Sequence, residues 1–466
     1  MTTLTSKLKS ITFTLAGALA FLLGVQWALA NTANAAASAL PIGADPQPIG
    51  SAPITETITY TLYLPLIVRN HPIVTEVRAL WVTRFDWTFY HRPVTTTDID
   101  TIVDHAASAH FNMLLFQVRG TADAFYSSTL EPWAARLTGE TTQTLGVDPG
   151  WDPLAYMITR AHSSGLQVQA YMNVYPAWIC DRVGPITMTT PLHPFWQWTY
   201  ASPYPNRTLQ WREWSNDNPP APMNLIPTSE GGTCGGANYL DGYLWASPAN
   251  PLVQTHIVSV AVDLATRYDL DGLHLDLVRY SGANYSSDPA TLRAFTDALQ
   301  ITPTLVFTTW QPDFQRAQIN ALVAQIYSAT TALKPNLWVS AAVWPNYTSG
   351  YNSLDQDSKG WLANSIIDAN MPMLYSSDIL NDLSAWIART QGFVNDAYGR
   401  YVIPGISGSY ANFNDIADRI DAARSMGAPG VAIFSYSGLN ANDYWDELAN
   451  GPFASPAVVP KPSWKP

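Results

Sequence analysis

Charged side chains are scarce in this chain of 466 residues: Asp, Glu, Lys and Arg make up 13% of it, about half the usual share of roughly 25%. The net charge is −12 and the pI about 5.0. A surface so poor in cations has no footprint for a nucleic-acid backbone or a polybasic membrane contact. Cysteine is rarer still. The two present, Cys180 and Cys234, stand in no CxxC or metal-spaced cluster. The eight His form no HExxH or HxH pattern, there is no GxSxG elbow and no Walker loop, and no Gly-rich dinucleotide turn follows a strand. No metal and no cofactor is therefore expected. Glutamate is also short: of 36 carboxylates seven are Glu, at positions 56, 76, 131, 140, 213, 230 and 447. Any carboxylate chemistry here has to lean on Asp.

What the chain does have is apolar and aromatic. Hydrophobic residues are 47% of the total, with 18 Trp and 23 Tyr, and mean hydropathy is −0.03. Such a chain buries a sizeable core, and a neutral ligand that stacks on rings suits it. Residues 1–35 read as a secretory signal peptide, with Lys7 and Lys9 ahead of an apolar stretch and small residues at Ala30 or Ala35 for cleavage. An uncleaved anchor is the competing reading of that stretch, and no other run is long enough to span a bilayer. Export to the cell envelope or beyond predicts that Cys180 and Cys234 pair as a disulfide in an oxidising compartment. Residues 36–70 read as a Pro/Ala/Thr-rich linker with one short strand, 71–450 as the main domain, and 451–466, rich in Pro and Lys, as a disordered tail.

Within the main domain, eight β-branched or aromatic runs are predicted as strands: 77–83, 112–118, 166–172, 272–276, 337–343, 369–375, 401–406 and 430–436. Helix-period segments at 98–109, 153–163, 253–268, 314–333 and 413–426 alternate with them. Eight alternations indicate an α/β fold, the (β/α)8 TIM barrel, ahead of a doubly wound open sheet. A long insertion, 176–251, separates strands three and four. Loops of that length are usually functional. This one is loaded with rings, among them Trp178, Phe195, Trp196, Trp198, Tyr200, Tyr204, Trp211 and Trp214. They form either a wall over the active face or the insertion's own small core.

Reactive groups of a TIM barrel lie at the C-terminal ends of its strands. Reading those positions gives Arg84, Gln117, Arg119, Asn173, Tyr175, His274, Asp276, Arg279, Tyr280, Trp344, Tyr375 and Asp378, a polar set with few carboxylates. Glycosidic cleavage generally needs two carboxyl groups. Asp276 is the foremost candidate. In Leu270-Asp-Gly-Leu-His-Leu-Asp276 alternate residues share a side, so His274 and Asp276 are expected together in the barrel mouth, with Arg279 nearby to keep a carboxylate ionised. Asp378 is the second, as general acid or alternatively as the N-cap of a following helix. Asp86 and Asp123 are fallback acids, and Asp271, at the far end of its strand, reads as structural.

Taken in order, Glu76-Val-Arg-Ala-Leu-Trp-Val-Thr-Arg84, Phe111-Asn-Met-Leu-Leu-Phe-Gln-Val-Arg119, Tyr126-Ser-Ser-Thr-Leu-Glu-Pro-Trp133, Pro149-Gly-Trp-Asp-Pro-Leu154, Asp271-Gly-Leu-His-Leu-Asp-Leu-Val-Arg-Tyr280 and Gln356-Asp-Ser-Lys-Gly-Trp361 resemble the glycosyl-hydrolase-like 10 family of secreted bacterial proteins. The resemblance spans about 76–440. It implies a TIM-barrel hydrolase-like domain at the cell envelope or beyond, members acting on glycan strands such as peptidoglycan, and a place for Asp276 in the active site. Two positions depart from the family pattern: Gln169 stands where strand three usually carries His, and the strand-six ending differs at Leu374-Tyr-Ser-Ser-Asp378.

The resulting expectation is a secreted O-glycosidase acting on a poly- or oligosaccharide. Asp276 serves as nucleophile or base and Asp378 as acid, and Arg84, Gln117, Arg119, Asn173, Tyr175, His274, Arg279, Tyr280, Trp344 and Tyr375 hold substrate. A carbohydrate-binding barrel without turnover is the alternative from another class, and a lytic enzyme that eliminates rather than hydrolyses is a third.

Overall fold

Short apolar runs buried on both faces can be satisfied by closing a parallel sheet on itself. The computed structural model does this. It describes residues 74–140, 142–179, 184–201, 211–215, 220, 222–223, 242–283, 285, 287–299 and 312–466. The strands are β1 (Val74–Thr75), β2 (Val77–Val82), β3 (Met113–Arg119), β4 (Gln167–Asn173), β5 (Pro176–Ile179), β6 (Tyr243–Trp245), β7 (Gly272–Asp276), β8 (Trp338–Val343), β9 (Ala369–Pro372), β10 (Tyr401–Val402), β11 (Gly405–Ser407), β12 (Gly430–Phe434) and β13 (Ala457–Val458). Nine of them form one parallel sheet in the order β10-β9-β8-β7-β4-β3-β2-β12-β11. β10 pairs with β9 and β11 with β12. Both ends of the sheet thus lie in one segment, 401–407, interrupted at Ile403-Pro404, where proline offers no N–H. Counted as one, that segment is the seventh staff of an eight-stranded TIM barrel.

The helices packed around it start where the sequence supplies caps. Those used below are α1 (Arg84–Trp87), α2 (Thr96–Ser108), α3 (Pro153–Ser163), α4 (Pro194–Ala201), α5 (Pro251–Arg267), α6 (Pro289–Leu299), α7 (Pro312–Leu333) and α8 (Leu383–Asn395). Asp152 accepts from the amides of Leu154 and Ala155 ahead of α3, with Pro153 in the first turn. Asn250 with Pro251 starts α5 in the same way. Alternation along each strand divides the core in two. Leu80, Leu114, Phe116, Val168, Leu273 and Leu275 face helix residues such as Ile99, Val103, Met157, Ile257, Val260 and Leu264. Val77, Ala79, Trp81, Met113, Leu115, Tyr171, Trp338, Ala342 and Met371 fill the barrel itself. Gly272 lets the barrel floor close: a Cβ there would meet the Gln169 side chain at 2.8 Å and the Trp338 carbonyl at 2.9 Å.

The insertion carries the antiparallel pair β5–β6 and helix α4. Phe195, Trp198, Trp211 and Trp178 are buried in it and pack edge to face or tilted, Phe195–Trp211 at 5.1 Å and Trp198–Trp211 at 5.4 Å. For these rings the insertion's own core is what the structure shows, not a wall over the cleft. The chain after 451 is ordered, contrary to the expected disordered tail. β13 pairs in parallel with β1, and beyond it the Trp464 indole and Lys465 amine both reach the buried carboxylate of Asp368 at the barrel floor, at 2.6 and 2.9 Å. Pro and Lys composition gave no sign of that buried partner. The signal peptide, the 36–70 linker, and Cys180 and Cys234 with their expected disulfide lie outside the described residues. No helix among the described residues is long and apolar enough to cross a membrane.

Candidate active site

At the C-terminal mouth of the barrel, β2, β3, β4, β7, β8 and β12 end around a cleft of about 470 Å³. Asp276, the last residue of β7, lines it. Its Oδ2 accepts from the Tyr171 hydroxyl at 2.6 Å, and its Oδ1 from the Leu277 amide at 2.6 Å. Leu277 itself takes a left-handed φ of 51°, a conformation uncommon for a bulky residue. The two hydrogen bonds fix the orientation of the carboxylate at the end of the strand.

Around Asp276 the strand ends supply amide and guanidinium groups. Gln117 accepts from the Arg84 amide at 2.8 Å and donates to Asn173 at 3.1 Å. The three are thereby locked to one another. Arg84 opens α1, begun by Thr83, whose amide and hydroxyl both donate to Asp86 Oδ2. Its guanidinium donates to the Tyr243 hydroxyl at 2.6 Å, which ties β6 of the insertion to the cleft. The Arg279 guanidinium lies over Trp245 at 4.9 Å and Trp344 at 5.3 Å. The opposite wall is apolar: Tyr375 and Phe434 stack at 4.9 Å with their planes 10° apart, and Trp81 meets both edge on. Rings with a few fixed polar groups are what a polyhydroxylated ligand needs to be oriented.

Of the residues read from sequence, Asp276, Arg84, Gln117, Asn173, Arg279, Trp344 and Tyr375 line this cleft. Five do not. His274 shares the parity of Asp276 but sits one layer deeper, fully buried. There its Nε2 accepts from Trp81 at 3.0 Å and its Nδ1 meets Ser340 Oγ at 2.8 Å. Ser340 donates onward to Gln169 at 2.6 Å, so Nδ1 carries the proton. Burial pushes the imidazole down to about 3, and it stays neutral. Arg119 is diverted by a register shift between Gln117 and Arg119. It grips buried Glu131 through Nε and Nη2 at 2.8–2.9 Å and the Val174 carbonyl at 3.0 Å. Tyr175 and Tyr280 lie past the strand ends and are buried, their hydroxyls without a partner among the described residues.

The fifth is Asp378. It is exposed, held by the Ser376 hydroxyl at 2.5 Å and the Arg389 guanidinium at 3.2 Å. Ser376 chiefly, then Arg389, holds its carboxyl below the ordinary value, the wrong direction for a general acid. It is not a helix cap either: Asp382 caps α8. The fallback acids are committed to backbone. Asp123 is buried and accepts from the Thr121 amide at 2.7 Å, and Asp86 accepts from Thr83 and, at 3.1 Å, the Ser437 amide. Asp271 is structural as expected, binding the Val168 amide at 2.8 Å and His162 at 2.9 Å. Among the described residues Asp276 is the only carboxylate lining the cleft.

Several lining residues escaped the sequence reading, among them Tyr171, Phe85, Tyr243 and Phe434. Strand parity could have found Tyr171, between Gln169 and Asn173, and Phe434, two after Ala432. Nothing local announced Tyr243, which arrives from the insertion.

Comparison with known proteins agrees with the barrel. Residues 76–391 match the family model described as glycosyl hydrolase-like 10. The chain is 25% identical over 445 residues to glycosyl hydrolase YngK of Bacillus subtilis, covering 87% of this chain and 77% of that one. It is 24% identical over 335 residues to glycosyl hydrolase DigH of Escherichia coli, covering 64% of this chain and 65% of the relative, just under two thirds of its length. Among solved structures it is similar to the glycoside hydrolase domain of PgaB (BpsB) from Bordetella bronchiseptica, with a TM-score of 0.56 at 12% identity, covering 81% of this chain and 98% of that one.

Proposed function

The chain belongs to the glycosyl hydrolase-like 10 family, and from that premise we propose that it hydrolyses O-glycosidic bonds of a poly- or oligosaccharide outside the cytoplasm, glycan strands such as peptidoglycan included. The observation that carries this reading is Asp276: a carboxylate fixed by Tyr171 and the Leu277 amide, at the reactive end of a barrel strand, facing rings suited to a sugar's apolar face. In this role Asp276 attacks the anomeric carbon as the glycosidic C–O bond breaks, or takes a proton from the water that attacks there, and the leaving oxygen departs with a proton drawn from solvent. Arg84, Gln117 and Asn173 meet sugar hydroxyls from one side, while Tyr375 and Phe434 orient the ring from the other. Incubating the protein with peptidoglycan strands and with plant and microbial polysaccharides, followed by mass spectrometry, tests the reading. Release of oligosaccharides one water heavier than an elimination product supports hydrolysis.

One observation favours a second reading, a barrel that binds glycan without cutting it: the cleft has a single carboxylate among the described residues. Retention of glycan with no released product from any polymer in the panel would select that reading.

A further inference from the structure

Three exposed aromatic rings sit within six residues beside the cleft. Phe85 and Tyr90 are each 55% exposed and Phe89 is 38% exposed. The segment that carries them is not loose. Trp87 between them is fully buried against Phe116 at 4.7 Å and Phe125 at 5.7 Å. The amides of His91 and Val94 bond the carbonyls of Gly139 and Leu137 at 2.8 and 3.0 Å, and Phe89 bridges to Arg92. Fixing large rings in water has no folding benefit; a contiguous patch of them marks a binding surface.

Cations link the rings. The Arg136 guanidinium is pinned by Thr88, its Nε donating to the hydroxyl at 2.8 Å and its Nη2 to the carbonyl at 3.2 Å. It lies 4.8 Å from the ring centre of Phe85 and 4.8 Å from that of Tyr90, and Arg92 lies 3.8 Å from Phe89. Guanidinium stacking of this kind holds ring orientation and leaves N–H donors beside the rings. Phe85 itself lines the cleft, so the patch is continuous with it. A cleft of about 470 Å³ encloses only a short stretch of any polymer.

Resting on the saccharide reading above, the geometry points to Phe85, Phe89, Tyr90 and Arg136 as an external platform for the sugar units of a polysaccharide that run on from the unit held at Asp276. The occupant is the continuation of the same chain. Rings offer stacking faces to successive sugars and Arg136 offers hydrogen bonds to their hydroxyls. The enzyme then favours long chains over short ones.

Kinetics of Tyr90→Ala and Phe89→Ala on a polymer and on the shortest oligosaccharide the wild type cleaves test this. Both positions lie outside the cleft, so the ratio of kcat/KM for polymer over oligosaccharide should fall about five- to tenfold, mainly through KM. An unchanged ratio overturns the platform. If the wild type cleaves nothing, the hydrolase reading fails and the platform is still read by affinity electrophoresis through gels holding soluble peptidoglycan strands, xylan or hydroxyethylcellulose. At least one polymer should retard the wild type and release Tyr90→Ala. Equal migration of the two in every gel overturns the proposal, as does a wild-type dimer in sedimentation that Tyr90→Ala abolishes.

Discussion

In the proposed hydrolysis Asp276 and Tyr171 form the pair on which the reaction rests. Tyr171 acts through Asp276 as a positioning residue: its hydroxyl fixes Oδ2 at 2.6 Å while its ring rests edge on against His274 at 5.5 Å. Tyr171→Phe keeps the ring packing and removes the bond. Steady-state kinetics should show kcat lower by about tenfold or more with KM little changed, and melting close to wild type. A rise in KM alone would mean that Tyr171 holds substrate rather than the carboxylate. The sequence carried Asp276 because strand parity and strand end coincide there. It misassigned His274 because parity says which face a residue takes, not how deep it lies. Arg119 failed for another reason, a register shift that no local pattern marks. Asp378 was placed by its distance from a strand end, and the Ser376 and Arg389 contacts that hold it outside depend on the conformation of the turn.

Among elements, the insertion and the tail are where tertiary contacts overrode composition. Glu213, in the insertion, is fully buried and accepts from the Ser281 amide at 3.2 Å and from its hydroxyl, clipping the insertion to the loop after β7. Burial pushes Glu213 up to about 8, Asp355 to about 7 and Asp288 to about 6. For each the folded state binds its proton more tightly than the unfolded chain. Stability from these groups is complete below the ordinary carboxylate range and declines as pH rises towards 8. Glu131 runs the other way: burial alone would raise it, but Arg119 and His256 take it down to about 2, so its contribution is lost as pH falls from 4.5 to 2. Melting temperature should therefore peak in mildly acidic buffer and fall towards pH 8. Glu213→Gln, which cannot ionise, should flatten the alkaline side, and a parallel profile for the variant would contradict the assignment.

The tail makes a similar demand. Asp368 is fully buried and accepts from the Val339 amide at 2.8 Å, Arg400 at 3.2 Å, Trp464 and Lys465. Deleting residues 460–466 strips two of these partners and should cost about 3–5 kcal/mol in urea unfolding, in the range seen when a buried ion pair loses one side. No change would mean that the tail only rests on the barrel floor.

At the scale of the molecule, the fold was legible because barrel strands are buried on both faces and so read as short continuous apolar runs. Each of the eight expected runs holds a strand of the barrel, and 272–276 agrees at both ends. Closure was not legible, since the seventh staff is split by Ile403-Pro404 and completes the ring through two partners. The shortage of Glu also has a structural outcome. Glu131 and Glu213, the two fully buried Glu among the described residues, serve Arg119 and Ser281, and the cleft is left to Asp276.

Cleavage in ¹⁸O-water by wild type and by Asp276→Asn, with products read by mass spectrometry, tests that assignment most directly. Wild type should place one heavy oxygen at each new reducing end. Asp276→Asn should lose that signal by about 10²-fold or more while melting as wild type does. Label incorporation by the variant at the wild-type rate, or cleavage by the wild type without label, would contradict the role given to Asp276.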